Sequence, residues 1–504
     1  MICDRSLHSH ISLFHSKPSF VARNATAPEF GHDVLKIAPV IRHFVGYAGP
    51  DGLRNTFSAT ISQSDLRNTF FPAWKRLIEE QSLGGVMSAI SAVGGTPSVA
   101  NRLLLDVLRT EWGFDGFVIS DCDTVGGQVK PRDFDGNVEL AAVSALEAGG
   151  DINCGPEYAM LLNATKHGVV KIEAIKRAAR NALRVRMRLG DLNELIDQKY
   201  TNIPLSVVDS VEHRAVATQV VHQSIVLLRN DDDVLPFNLA DPALLNIAVI
   251  GPSANDTRIL GHTYHGTPSK WYTPYDGVLR LVAAANERRA VRDTIAVAQG
   301  GVRVHPITVT LAQGCTRCCD VNASGFPLAE AHASEADAII VVVGLEAIYE
   351  EEDTDRGSLA LPHLQLPLII NVSAAAAAGA IRRRGANATR PPLAVVIISG
   401  GPISEPALLG AGTDALVDQD AVDALLWLSY PGQAGDSVAD ILFGVTSPSG
   451  RLPFTIPRCG SDRDLPLCDD VIGTLEDYRM WRWGACGTLQ LNFYGSYCLT
   501  ILHI

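Results

Sequence analysis

In EWGFDGFVISDCDTV, residues 111–125, an apolar β-like run from Phe117 to Ser120 ends on two carboxylates, Asp121 and Asp123, with Cys122 between them. An aspartate at the end of a stiff, buried strand has the fixed position a covalent nucleophile needs, and it stays ionised where nearby donors stabilise its charge. A second acidic run, GLEAIYEEEDTDRGSLALP over 344–362, crowds Glu350, Glu351, Glu352, Asp353 and Asp355 into one stretch. Paired carboxylates serve general acid and base chemistry when one holds a proton and the other stays ionised. Both patterns also have plain structural readings. The dipeptide Ser-Asp alone favours a helix cap or an ion-paired aspartate, and an acidic run judged by spacing alone is a solvated loop. By the same standard His43, in the apolar run IRHFVGY, is a satisfied core histidine.

Composition bounds what such residues could be doing. At 504 residues the chain is long enough for two or three compact units. Hydrophobic residues at 47% and charged residues at 19% are ordinary globular proportions, which argues against long disorder. A formal net charge of -13 opposes nucleic-acid binding, which needs clustered Lys and Arg. The one dense basic run, Arg382 to Arg384, reads as a solvated turn. No charge-free apolar run of about 18 residues occurs, so no membrane partner is expected.

The ten cysteines make no zinc pattern. CTRCC, Cys315 to Cys319, is the one cluster, and it reads as a disulfide within or near that loop or, alternatively, as reduced thiols. No metal and no cofactor are expected. A nucleotide-dependent α/β enzyme is suggested only by strand–glycine turns such as VIGPSAN, without a G-x-G-x-x-G or a P-loop lysine. Six N-x-S/T sequons, at Asn24, Asn163, Asn255, Asn322, Asn371 and Asn387, suit a secreted glycoprotein, whereas residues 1–20 present no continuous apolar segment of a signal peptide.

The elements that must position the carboxylates follow from periodicity. Over 37–190, strand candidates IAPVIRHFVGY, GGVMSAISAV and FDGFVIS alternate with helical stretches SDLRNTFFPAWKRLIEEQ and NVELAAVSALEAGG, the signature of βα units in a parallel sheet. A further helix ending at Gly190 is expected to show Ile172, Ile175, Ala179, Ala182 and Val185 or Arg186 on one face. Periodicity lapses over 191–210, which marks a linker. A second unit over 211–457 opens with a helix, VEHRAVATQVVHQSIVLLRN. Its buried-strand runs LNIAVIGP, DAIIVVVGL, LAVVIISGGP and DALLWLSYPG predict a sheet covered on both faces. Residues 458–504 carry no assignable pattern.

The segment LLLDVLRTEWGFDGFVISDCDTV closely resembles the nucleophile segment of glycoside hydrolase family 3, where an L-R-x-x-W-G-F-x-G-F/Y-V-x-S-D pattern ends on the catalytic aspartate. The likeness runs in order along nearly the whole chain through IRHFVGY, AGGDINCG, HQSIVLLRNDDDVLPF, IAVIGPSAN, SYPGQAG, ADILFG and SGRLPFT. It implies an α/β fold with two parts: a TIM-type (β/α) barrel domain over 1–190 and an α/β sandwich domain over 211–457. A whole (β/α)₈ barrel takes roughly 200 to 250 residues. Only about forty precede the RHF segment that falls midway through the family's barrel, so the expected barrel is incomplete, and the C-terminal fibronectin-like domain frequent in the family is not represented.

The resemblance implies a retaining exo-glycosidase with Asp121 as nucleophile and Glu352 as acid/base. Aligning Asp355 and Arg356 with the D-R of the β-xylosidase branch places Glu350 and Glu352 on its two glutamates. The two carboxyl groups of such an enzyme stand about 5 to 5.5 Å apart, here across an interdomain cleft. Arg42 and His43 fall on a Lys-His pair that resembles a sugar-hydroxyl clamp, with Arg in place of Lys, and Glu350 is the third expected substrate-binding residue. A planar guanidinium fork does not reproduce a point ammonium. A second departure is VMSAISAVGG, where Ile90 and Ser91 replace the aromatic and amide of M-x-S-Y-N. The sequence S-D-C-D matches the xylosidase branch, and family members carry both Cys122 and Cys154, which implies a disulfide between them. The implied partner is a xylo-oligosaccharide and the implied location extracellular; a β-glucosidase or a non-catalytic sugar-binding relative is the alternative.

Overall fold

The computed structural model describes residues 35, 37–47, 53–80, 83–127, 137–191, 203–262, 265–301, 303–316, 323–352, 354, 358–405, 408, 421–454 and 456. The chain divides into two compact units between Pro204 and Leu205. Residues 205–210, expected in a linker, therefore open the second unit. The expected C-terminal tail and residues 317–322 of the CTRCC loop lie outside the described residues.

In the first unit the strands are β1 (Val40–Phe44), β2 (Ser58–Ala59), β3 (Gly85–Ser88), β4 (Ala92–Val93), β5 (Thr96–Pro97) and β6 (Phe117–Ile119). Strands β1, β3 and β6 form a parallel sheet in that order, and a parallel bridge from Ile119 to Ile152 extends it. Helical runs fill the connections, as parallel strands require: 63–80 between β1 and β3, 102–111 between β3 and β6, and Val138–Ala148 before Ile152. This is the strand–helix repeat of a (β/α) barrel. Asn137 caps the last of these helices through a bond from Leu140 N–H, and Gly149, at φ 125°, ends it.

Packing explains the RTEWGFDGF motif. Phe44, almost wholly buried, meets the rings of Phe71, Trp74 and Trp112 at 5.9, 5.2 and 6.0 Å. Arg109 donates to the carbonyls of Phe114 and Gly116 and pairs with Asp151, which fixes the turn that launches β6. A Cβ on Gly116 would stand 2.4 Å from Gly84 O, so the close pass of this turn over the start of β3 requires glycine.

The helix Ile172–Arg188 forms, but its buried face differs from the expected one. Ala178 and Val185 are buried with Ala174 and Ile175 partly so, whereas Ile172 and Ala179 are exposed. Polar side chains take part of the inward face: Asn181 bonds Asp151, Arg177 bonds Leu146 O and Arg184 bonds Asp115 O. An apolar count misses that rotation.

The second unit contains β7 (Val226–Asn230), β8 (Asn246–Ile250), β9 (Thr308–Ala312), β10 (Ala338–Gly344), β11 (Leu393–Ile398) and β12 (Ala424–Leu428) in one six-stranded sheet, ordered β7-β12-β11-β10-β8-β9. All pairings are parallel except β7 with β12. Thus the run VEHRAVATQVVHQSIVLLRN is a helix only over Val211–Ser224; its β-branched and aliphatic end pairs as an edge strand. In β10, Ala338, Ile340 and Val342 enter one core while Ile339, Val341 and Val343 enter the other, so both faces of the sheet are buried. Helices Pro274–Ala298 and Ser437–Leu442 cover the first face, Phe326–Glu335 and Gln365–Arg384 the second. Against the expectation that no long charge-free apolar run occurs, residues 358–381 hold no Asp, Glu, Lys or Arg, and Gln365–Arg384 is long and apolar enough to cross a membrane; it lies with Leu368, Ile369, Val372 and Ala376 in the core.

Candidate active site

Asp121 follows β6 directly, at the carboxyl end of a parallel strand, where catalytic groups of such folds collect. Its carboxylate is 12% exposed; Oδ1 accepts from Cys122 N–H at 2.8 Å and Oδ2 lies 3.2 Å from His43 Nε2. His43, on β1, and Asp121, just past β6, are thus brought together from distant parts of the chain by the two strands that flank β3. His43 is buried beside the Tyr47 ring, with centroids 5.3 Å apart, and Arg42, its neighbour on β1, is also buried. Phe44 faces the helices while His43 faces the strand ends, so one strand supplies both the core and the site.

The backbone carrying Asp121 is pinned from several sides. Cys122 and Cys154 form a disulfide. Ser120 Oγ accepts from Cys154 N–H at 2.9 Å and donates to Asn153 Oδ1, whose amide donates to buried Glu157. Asp123 serves through its backbone: at φ 58° its N–H donates to Cys154 O, and its carbonyl accepts from Gly127 N–H. Beneath the site, Asp151 accepts from Val118 N–H, Asn181 and Arg109. Burial pushes the Asp151 carboxyl up against the opposing pull of Arg109, and burial likewise lowers Arg109.

The second acidic group lies in the other unit. Gly344 ends β10, held by a reciprocal pair of bonds with the buried Gln365 amide at 2.8 and 2.9 Å. One helical turn follows, Ala347–Glu350, and Glu352 comes two residues later, half-buried. Glu350 accepts from Gly400 N–H at 2.6 Å, from Gly401 N–H at 3.2 Å and from the Tyr430 hydroxyl. The carboxylate read from the sequence as a sugar ligand therefore has both oxygens engaged by protein donors. Downstream, buried Glu405 accepts from Leu361 N–H at 2.6 Å; burial raises its carboxyl, and that bond opposes the rise. Asp353 and 355–357 lie outside the described residues.

Sequence reasoning missed Arg109, Ser120, Asn153, Gln365, Glu405 and Tyr430. All but Gln365 and Glu405 stand in or beside a strand, a glycine or a quoted motif, which was the available signal. Partner choice, not residue type, defines their roles. Among the described residues no cluster of His, Cys, Asp and Glu has the arrangement of a metal site.

A (β/α)-barrel portion with a pinned strand-end aspartate, followed by a doubly covered parallel sheet with an acidic loop at one strand end, defines a class of two-part α/β proteins. Family models place the chain within it: the glycosyl hydrolase family 3 N-terminal domain matches residues 8–185 and the C-terminal domain residues 225–483. The chain belongs to glycosyl hydrolase family 3. A β-xylosidase/α-L-arabinofuranosidase 1 of Medicago sativa subsp. varia is 32% identical over 430 residues, covering 84% of this chain and 49% of the relative. The β-D-xylosidase 1 of Arabidopsis thaliana is 31% identical, with 84% of this chain and 49% of the relative covered. A solved exo-β-xylosidase in complex with a xylobiose aziridine probe superposes with a TM-score of 0.71 at 28% identity, covering 87% of this chain and 51% of that one. A β-glucosidase from Erythrobacter marinus gives 0.66 at 26% identity, over 84% and 54%. The chain spans about half the length of the curated relatives it matches.

Proposed function

We propose that the protein is a retaining exo-glycosidase that releases terminal β-linked xylosyl residues from xylo-oligosaccharides. The observation that carries this reading is Asp121: a strand-end carboxylate held by Cys122 N–H and His43, on an S-D-C-D segment closed by a disulfide. In the proposed reaction an Asp121 oxygen attacks the anomeric carbon as the bond to the leaving oxygen breaks, and Glu352 gives that oxygen its proton. Glu352 then takes a proton from water, whose oxygen displaces Asp121 from the anomeric carbon. Arg42 and His43 donate to sugar hydroxyls. The names of the matched plant relatives support pentosides. The sequons, with exposed Asn163, Asn255, Asn371 and Asn387, support an extracellular glycoprotein.

Release of nitrophenol from 4-nitrophenyl β-xyloside, α-arabinofuranoside and β-glucoside tests the reading. Turnover is expected to be greatest on the xyloside and to fall on the order of 10³-fold or more in Asp121→Asn. Activity surviving that substitution removes Asp121 from the role; a preference for the glucoside moves the protein to the β-glucosidases, which the Erythrobacter marinus likeness keeps as the second reading. Because the chain spans half of its relatives, a non-catalytic sugar-binding protein is the other alternative, identified by calorimetric binding of xylobiose without turnover.

A further inference from the structure

Glu352, on the reading above, must hold its carboxyl against one leaving oxygen, yet the turn that precedes it has little packing of its own. None of the four residues of Ala347–Glu350 is buried, Ile348 is 51% exposed, and only Tyr349 leans on the core. What ties the turn to the sheet on its polar side is the Glu350 carboxylate. It takes the two successive N–H groups of Gly400 and Gly401, at the exit of β11, and the hydroxyl of Tyr430, just past β12. Tyr430 is held in turn by stacking on His262, with centroids 4.7 Å apart and planes 27° apart. The fit leaves no slack, since a Cβ on Gly400 would stand 3.1 Å from both Glu350 Oε1 and the Tyr430 ring.

We propose that Glu350 and Tyr430 are positioning residues: they clamp the loop of β10 onto the exits of β11 and β12 and so fix where Glu352 delivers its proton. This rests on Glu352 being the acid/base. It gives Glu350 a role through Glu352 rather than through the sugar. A misplacement of about 1 Å in such a group can cost on the order of 10² in rate. The loss falls on the step that needs protonation, because a leaving group that departs as a stable anion needs little acid help.

The test uses the full chain with 2,4-dinitrophenyl β-xyloside, a good leaving group, and xylobiose, a poor one. Tyr430→Phe and Glu350→Gln are expected to lower kcat on xylobiose about tenfold or more, with kcat/KM on the dinitrophenyl xyloside changed less than about threefold and xylose inhibition unmoved. Gly400→Ala, which crowds the same carboxylate from the backbone side, is expected to show the same split, so the inference does not depend on one variant folding. Equal losses on both substrates, weaker xylose inhibition, or no change in any of the three overturn it. Glu352→Ala reports on the underlying reading separately: loss on xylobiose with recovery of dinitrophenyl xyloside turnover by azide supports the acid/base role. A Glu352→Ala variant like the wild type removes that role, and the clamp with it.

Discussion

Asp121 shows how little of a residue's chemistry its own identity decides. Asp121 and Asp123 are both strand-end aspartates, yet one presents a buried carboxylate to His43 and the other contributes a left-handed backbone turn. The difference comes from the tether at Cys154, whose N–H, carbonyl and sulfur bind Ser120, Asp123 and Cys122 respectively. The disulfide closes a separation of 32 residues, for which chain entropy gives about 3–4 kcal/mol of stabilisation. Cys122→Ser with Cys154→Ser is therefore expected to lower the stability of the first unit by roughly that amount and to reduce turnover; urea denaturation with and without a phosphine reductant measures it. A midpoint that does not move under reduction means the crosslink leaves the strand end as it was.

Elements are fixed by polar contacts as much as by apolar patterning. The helix Ile172–Arg188 turns its polar residues Arg177, Asn181 and Arg184 toward carbonyls and Asp151, and that rotation hid its buried face from a hydrophobic count. Asp209 does similar work ahead of helix Val211–Ser224. Bonds from the Ser269 hydroxyl and N–H and from Gln433 lower its carboxyl from 3.8 to about 2. A carboxyl depressed on folding adds stability above its unfolded value, and the gain disappears as pH falls through the folded one. Wild type is expected to exceed Asp209→Asn in stability at about pH 5, with the gap closing toward pH 2. Thermal melts across that range check the sign, and a gap that widens on acidification contradicts it.

At the scale of the whole molecule each unit encloses hydrophobic cores of its own. Both cores of the second unit lie within it, one on each face of its six-stranded sheet. Residues 205–469, expressed alone, are expected to unfold in one cooperative transition by circular dichroism; a molten, non-cooperative product would show that the sheet needs the first unit. Strand runs and glycine exits were legible here because β10, β11 and β12 are continuous apolar stretches with a single structural solution.

The sequence by itself determined the class of fold, the strands that carry the site and the candidate acids, since periodicity and ordered motifs are local properties of the chain. It also carried the pairing of Cys122 with Cys154 by resemblance. Only the tertiary structure decided that His43 meets Asp121, that Arg109 holds the turn before β6, that VLLRN is an edge strand and that Glu350 is engaged by Gly400, Gly401 and Tyr430. Each of these depends on which side chains arrive at one point from distant parts of the chain, and a hydrogen bond forms only where the fold brings donor and acceptor to about 3 Å.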